Sequence, residues 1–200
     1  MSSDTPSRLK AAVEVLLLTK GEAGTTLRDI TDAAGANVAA VAYHFKSKDN
    51  LVALVFGEAL DEVTTLQSTR ILALPKNHTL RELIEVWLHP LLSAGGPNDR
   101  EATLWRIIQQ GAAEKAPGLL ANMARASNPV EMTLIPLLAS HLTHLTQEEL
   151  LFRHNAIIGG LAGIVSSPVG MALSKGSAQS KSREFMIAWV LGSLEGPAAK

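Results

Sequence analysis

The chain has 200 residues, of which 46% are hydrophobic and 18% charged, and its formal net charge is −1. That composition excludes a disordered chain. The absence of cysteine excludes disulfides, thiolate catalysis and cysteine-ligated zinc, and suits a cytoplasmic protein. Helical spacing dominates from end to end, with almost no two-residue alternation, so the expected fold is all-α. The first helix is expected to start with Thr5 as N-cap and Pro6 at the first helical position, where its missing N–H costs nothing. Leu9, Val13, Leu16 and Leu17 give it one apolar stripe, and Gly21 ends it. The polar run Met1 to Lys10 does not read as a secretory signal.

A short second helix starts at Thr26, whose hydroxyl can cap it while Asp29, three residues on, reaches back in a variant capping box. Leu27, Ile30 and Ala34 form its inner face, and Gly35 stops it by supplying the left-handed conformation of a sharp turn. Asn37 can cap a third helix running to about Phe45, and Ser47 a longer fourth helix through Leu51, Leu54, Val55 and Val63. Beyond Pro75, further helices are expected at Leu80–Leu92, Glu101–Ala113, Pro117–Ala126, Val130–Leu142, Gln147–Val165 and Ser182–Leu194. Short Pro/Gly turns between them describe a compact bundle. The uncharged stretch Ala156 to Ser174 is about long enough to cross a bilayer. Its Ser166-Ser167-Pro168 break and its glycines, Gly159, Gly160, Gly163 and Gly170, favour a helix buried at a subunit interface instead.

Two short helices joined by Ala34-Gly35-Ala36-Asn37 are the layout of a helix-turn-helix. On the third helix, Val41 and Phe45, with Val38 near the edge, face the core. Ala39, Ala40, Tyr43 and His44 take the opposite face. Small residues there permit close approach to a major groove, and Tyr43 and His44 can donate to phosphates or base edges. Lys48, at the start of the next helix, has the reach of a phosphate clamp, and Thr26 and Arg28 are placed for neighbouring phosphates. Residues 1–56 hold six basic and six acidic side chains, so binding should depend on placed contacts and dimerisation rather than on net charge.

The run Tyr43-His44-Phe45-Lys46-Ser47-Lys48-Asp49-Asn50-Leu51, following the glycine turn, resembles the TetR family of repressors. The likeness is strong over about the first quarter of the chain. It is closest to a subgroup reading Asn-x-Ala-Ala-x-Asn-Tyr-His-Phe, from which this chain departs by carrying Ala42 near the DNA. Gln147 to Gly163 is weakly similar to the equivalent helix of fatty-acid-responsive members. The resemblance implies a helix-turn-helix DNA-binding domain over residues 1–56, Asn37 included among its DNA-facing residues, and a larger helical ligand-binding and dimerisation domain over 57–200. It implies a homodimeric repressor that releases a palindromic operator when a small, apolar effector binds.

The resemblance further implies a four-helix intersubunit bundle, for which Gly159, Gly160, Gly163, Leu161, Ile164, Phe185, Trp189 and Leu194 are candidates; small residues at a helix contact serve equally inside a monomer. Trp87, Trp105, Ile108, Met123 and Phe152 are candidates for an apolar effector cavity, with His89, Gln109 or Asn155 as polar anchors. Ordinary core or surface roles would account for each of these as well. His141 and His144 share a helix face but lack a third ligand, Gly159-Gly160 lacks the strand of a phosphate loop, and Glu148-Glu149 are adjacent rather than facing. No catalytic residue, cofactor or metal is therefore expected. An activator, or a helical enzyme or scaffold whose first fifty residues do not bind DNA, remains the alternative.

Overall fold

The computed structural model describes residues 4–92, 99–123, 129–166 and 178–199. Every regular element among them is a helix: α1 (Thr5–Lys20), α2 (Leu27–Ala34), α3 (Val38–Phe45), α4 (Lys48–Leu72), α5 (Leu80–Trp87), α6 (His89–Leu92), α7 (Arg100–Ala113), α8 (Pro117–Met123), α9 (Pro129–His141), α10 (Gln147–Ser166) and α11 (Ala178–Glu195). None is long and apolar enough to cross a membrane, among the described residues. The Ser167–Ser174 part of the stretch weighed as a span, and the Gly95-Gly96-Pro97 and Asn128 breaks, lie outside them.

Local sequence accounts for most helix ends. The Thr26 hydroxyl accepts from the Asp29 N–H at 3.1 Å while the Asp29 carboxylate accepts from the Thr26 N–H at 2.9 Å, a reciprocal capping box. Gly35 closes α2 at φ 57°, in the left-handed region. The Asn37 side chain caps α3 through the Ala40 N–H at 2.8 Å, and Ser47 caps α4 through the Asn50 N–H at 3.1 Å. Two expectations are corrected. The N-cap of α1 is Asp4, which makes no side-chain cap, because the helix already includes Thr5. The helix expected over Leu80–Leu92 breaks at Leu88, just ahead of Pro90, into α5 and α6. The start of α5 carries a second capping box, Thr79 with Glu82, in a Thr-Leu-Arg-acid run like the one at Thr26.

The described helices divide into two compact units that do not follow the chain linearly. Met1–Val63 joins Thr103–Ala126 in the first, and Thr64–Ala102 joins Ser127–Lys200 in the second. In the first unit, Leu9, Val13 and Leu17 of α1, Ile30 of α2, Val41 of α3 and Leu51, Val55 and Phe56 of α4 share one core with Leu104, Ile107 and Leu119. Residues of α7 and α8 thus fill the core on which the turn is mounted. Gly111 lets α7 come close: a Cβ there would lie 2.7 Å from a Phe56 ring carbon. The second unit buries Leu83, Ile84 and Trp87 of α5 with Leu134, Leu138, Leu150, Ile157, Ile187 and Val190. Arg153 ties α10 to the chain after α11, donating to the carbonyls of Ser193, Leu194 and Gly196 and to Glu149.

Candidate nucleic-acid interface

The turn is held from below by apolar packing. Val41 is buried, Phe45 half-buried, and between them they fix which face of α3 turns outward. Ala39, Tyr43 and His44 are exposed, and Tyr43 is 84% exposed with its ring edge-on to His44, centroids 4.8 Å apart. An aromatic pair left in water on a short, capped helix is unusual for a core element. Thr26, Arg28 and Asn37 are exposed as well. Two placements differ from the sequence reading. Ala40, expected on the open face, is half-buried and packs against the core, while Val38, expected at the core edge, is 52% exposed. Both follow from the helix phase: Val41 sits at the centre of the buried side, and Ala40 faces the α1–turn groove rather than the outer surface.

Lys48 sits lower than a free clamp. Its ammonium donates to the Thr25 carbonyl at 3.0 Å and lies 4.0 Å from Asp49. It therefore pins the start of α4 to the loop before α2. That loop also contains Glu22, whose carboxyl is pushed up by burial, with the Lys48 charge opposing the shift. Three other cations of this unit have acid partners: Lys20 with Asp29 at 2.6 Å, Arg28 with Asp32 at 3.6 Å and Lys10 with Glu58 at 2.8 Å. The hydrogen bonds of Lys20 and Thr26 hold the Asp29 carboxyl well below the usual carboxylate range.

Residues 9–55 match the family described as bacterial regulatory proteins, tetR family. The N-terminal helices form a TetR-type helix-turn-helix domain. The likeness in fold extends over nearly the whole chain. A transcriptional regulator from Rhodococcus sp. Rha1 is 21% identical, with 95% of this chain and 97% of that one covered and a TM-score of 0.63. A putative transcriptional regulator from Pseudomonas aeruginosa PAO1 is 19% identical over 96% of this chain and 90% of its own, with a TM-score of 0.66. NalD, described as the secondary repressor of the MexAB-OprM multidrug efflux pump in Pseudomonas aeruginosa, is 22% identical over 96% and 98%, with a TM-score of 0.62. No curated protein sequence matches the chain significantly.

Outside the TetR-type domain, the expected effector residues fall into both units. Trp105, Ile108, Gln109 and Met123 belong to the first, and Trp87, His89, Phe152 and Asn155 to the second. Met123, Phe152 and Asn155 are exposed on their own units, and Asn155 donates to the Leu151 carbonyl one turn back. Trp87 is buried, stacks on His154 at 5.2 Å, and accepts from Gln67 Nε2 at 3.1 Å through its carbonyl. Trp105 and Gln109 lie one turn apart on α7, and the indole N–H of one and the amide nitrogen of the other are buried without a partner. The residues expected at a subunit contact form an exposed set. Gly159, Gly163, Ile164, Phe185 and Trp189 are exposed, and a Cβ on half-buried Gly160 would lie 2.7 Å from the Trp189 ring. Leu161 and Leu194 are instead buried in the core of the second unit. No group of three or more His, Asp or Glu that could hold a metal ion occurs among the described residues.

Proposed function

We propose that the chain is a ligand-responsive transcriptional repressor, not an enzyme, that binds a palindromic operator as a homodimer in the cytoplasm. The observation that carries this reading is the sorting of α3, with Val41 sealed in the core and Tyr43 and His44 held out in water on a TetR-type scaffold. Ala39, Tyr43 and His44 enter the major groove, while Thr26, Arg28 and Lys48 approach the backbone. Dimerisation uses the apolar surface of α10 and α11, where Phe152, Ile158, Phe185 and Trp189 are exposed together with the glycines. An exposed apolar set of this size favours a second copy over water.

Trp105 Nε1 and Gln109 Nε2 support an effector that carries a hydrogen-bond acceptor on an apolar body, since a buried donor without a partner costs about 1–3 kcal/mol. An acyl compound has that chemistry, and the likeness of Gln147–Gly163 to fatty-acid-responsive members points the same way. Binding such a ligand releases DNA only if it prefers the conformer that cannot span both half-sites. The test is selection of sites from a random duplex pool with the purified protein at near-physiological salt. A palindrome with two half-sites, bound by the wild type and lost in Tyr43→Ala, is the expected result. A pool without enrichment, or a Tyr43→Ala protein that binds the selected site as the wild type does, refutes the reading.

A further inference from the structure

The recognition helix has an uncommitted cation at each end, although the domain that carries it is neutral. At the N-terminal end, Arg8 of α1 reaches the turn: its Nη1 lies 3.5 Å from where a Cβ on Gly35 would stand. It forms, with Thr5, Ala36, Asn37 and Ala40, a shallow groove of about 370 Å3. Its side chain donates to a neutral group, the Thr5 hydroxyl, at 3.3 Å. At the C-terminal end, Lys46 is the C-cap of α3 at φ 69°, a left-handed conformation that a lysine adopts rarely, and its side chain is exposed. Among the described residues neither side chain has a carboxylate within ion-pairing distance, whereas Lys10, Lys20, Arg28 and Lys48 are each paired or hydrogen-bonded within the unit.

We propose that Arg8 and Lys46 are the two phosphate contacts that bracket the recognition helix on double-stranded DNA. The inference rests on the DNA-binding reading above and deepens it. An eight-residue helix is about 12 Å long, and the major groove is about 12 Å wide, so cations at the two ends of α3 reach the two backbones that flank it. A phosphate at either position breaks no existing ion pair. Binding through Lys20 would first have to separate it from the Asp29 carboxylate at 2.6 Å. The left-handed Lys46 lifts the chain out of the helix at the point where its side chain must leave the groove for the rim. Contacts of this kind fix register without reading sequence.

Counterion release makes the idea measurable. Each phosphate contact adds about 0.9 to the slope of log affinity against log salt. A dimer that loses one contact per subunit therefore loses about 1.8 from the slope. Over a fourfold rise in salt, its binding weakens about twelvefold less than that of the wild type. The experiment titrates the selected site from about 50 to 200 mM salt with the wild type, Arg8→Gln, Lys46→Gln and Lys10→Gln. The last removes one positive charge that Glu58 already neutralises, so it matches the change in net charge without removing a proposed contact. The expected result is a reduced slope in Arg8→Gln and Lys46→Gln, an unchanged preference for the selected sequence, and a wild-type slope in Lys10→Gln. Wild-type slopes in both Arg8→Gln and Lys46→Gln, or an equal reduction in Lys10→Gln, overturn the assignment while leaving the regulator reading intact. A wild-type protein that selects no site overturns the regulator reading itself, and the inference with it.

Discussion

Gly111→Ala sets two effects of opposite sign against each other on α7. In a helix interior, alanine is favoured over glycine by about 1 kcal/mol, because glycine loses more backbone freedom on folding. Position 111 lies in the middle of the last turns of α7 and is buried in the first unit. A methyl there would stand 2.7 and 2.8 Å from two Phe56 ring carbons and 3.0 Å from a Leu119 methyl. Both neighbours are fully buried, so neither ring nor methyl can swing into solvent. Overpacking of that kind costs about 1–3 kcal/mol, enough to outweigh the helical gain. The expected net effect is a loss of about 1 kcal/mol, or about 2–4 °C in melting temperature for a chain of this size. Urea unfolding followed by helical circular dichroism measures it. In a Phe56→Leu background, which removes the obstructing ring edge, the same substitution should become neutral or stabilising. A Gly111→Ala protein that gains about 1 kcal/mol in the wild-type background would refute the claim that packing governs this position.

Thr26→Ala removes the acceptor for the Asp29 N–H and leaves the carboxylate half of the box without its partner hydroxyl; a loss of about 1 kcal/mol in urea unfolding is expected, with Thr26→Ser close to wild type. His154 is buried against Trp87, and burial holds its pKa below the ordinary value of 6.5, with Glu131 opposing; burial likewise lowers His141. The unfolded chain then binds protons that the folded one refuses, so stability is full above the ordinary histidine pKa and falls as pH drops below it. Urea midpoints between about pH 7.5 and 5 should show that decline, with a shallower slope in His154→Phe; a flat profile contradicts the burial argument. Phe185→Glu places a charge on the exposed apolar surface of α11 and should convert the proposed dimer into monomers by analytical ultracentrifugation, with no loss of helix content.

The first 50 residues were legible because their signals are local. Thr26 with Asp29, Gly35 and Asn37 each specify a helix end through groups within three residues, and the structure carries all of them. The Thr79–Glu82 box carries the same local signal, written in the run Thr79-Leu80-Arg81-Glu82. What depended on distant neighbours was less visible. That Lys48 is held by the Thr25 carbonyl, or that Arg8 reaches the turn at Gly35, is set by how α1 and α4 cross the turn, not by spacing. For the candidate effector residues, residue type did not foretell burial: Phe152 is 73% exposed while Trp87 is buried. Composition of a helix says which residues would like to be buried, and only the packing of its neighbours decides which are.

The non-contiguous first unit has a consequence for how the protein is made. When the turn and α3 leave the ribosome, the core beneath them still lacks Leu104, Ile107 and Leu119. At about 5–20 residues per second, the missing sixty or so residues take roughly 3–12 s to follow. During that interval the apolar sides of α1 and α4 have no lid, and the nascent segment is a natural client for a chaperone. A fragment ending near residue 56 would lack those three side chains, so the proposed DNA-reading surface is completed late in synthesis despite being encoded first.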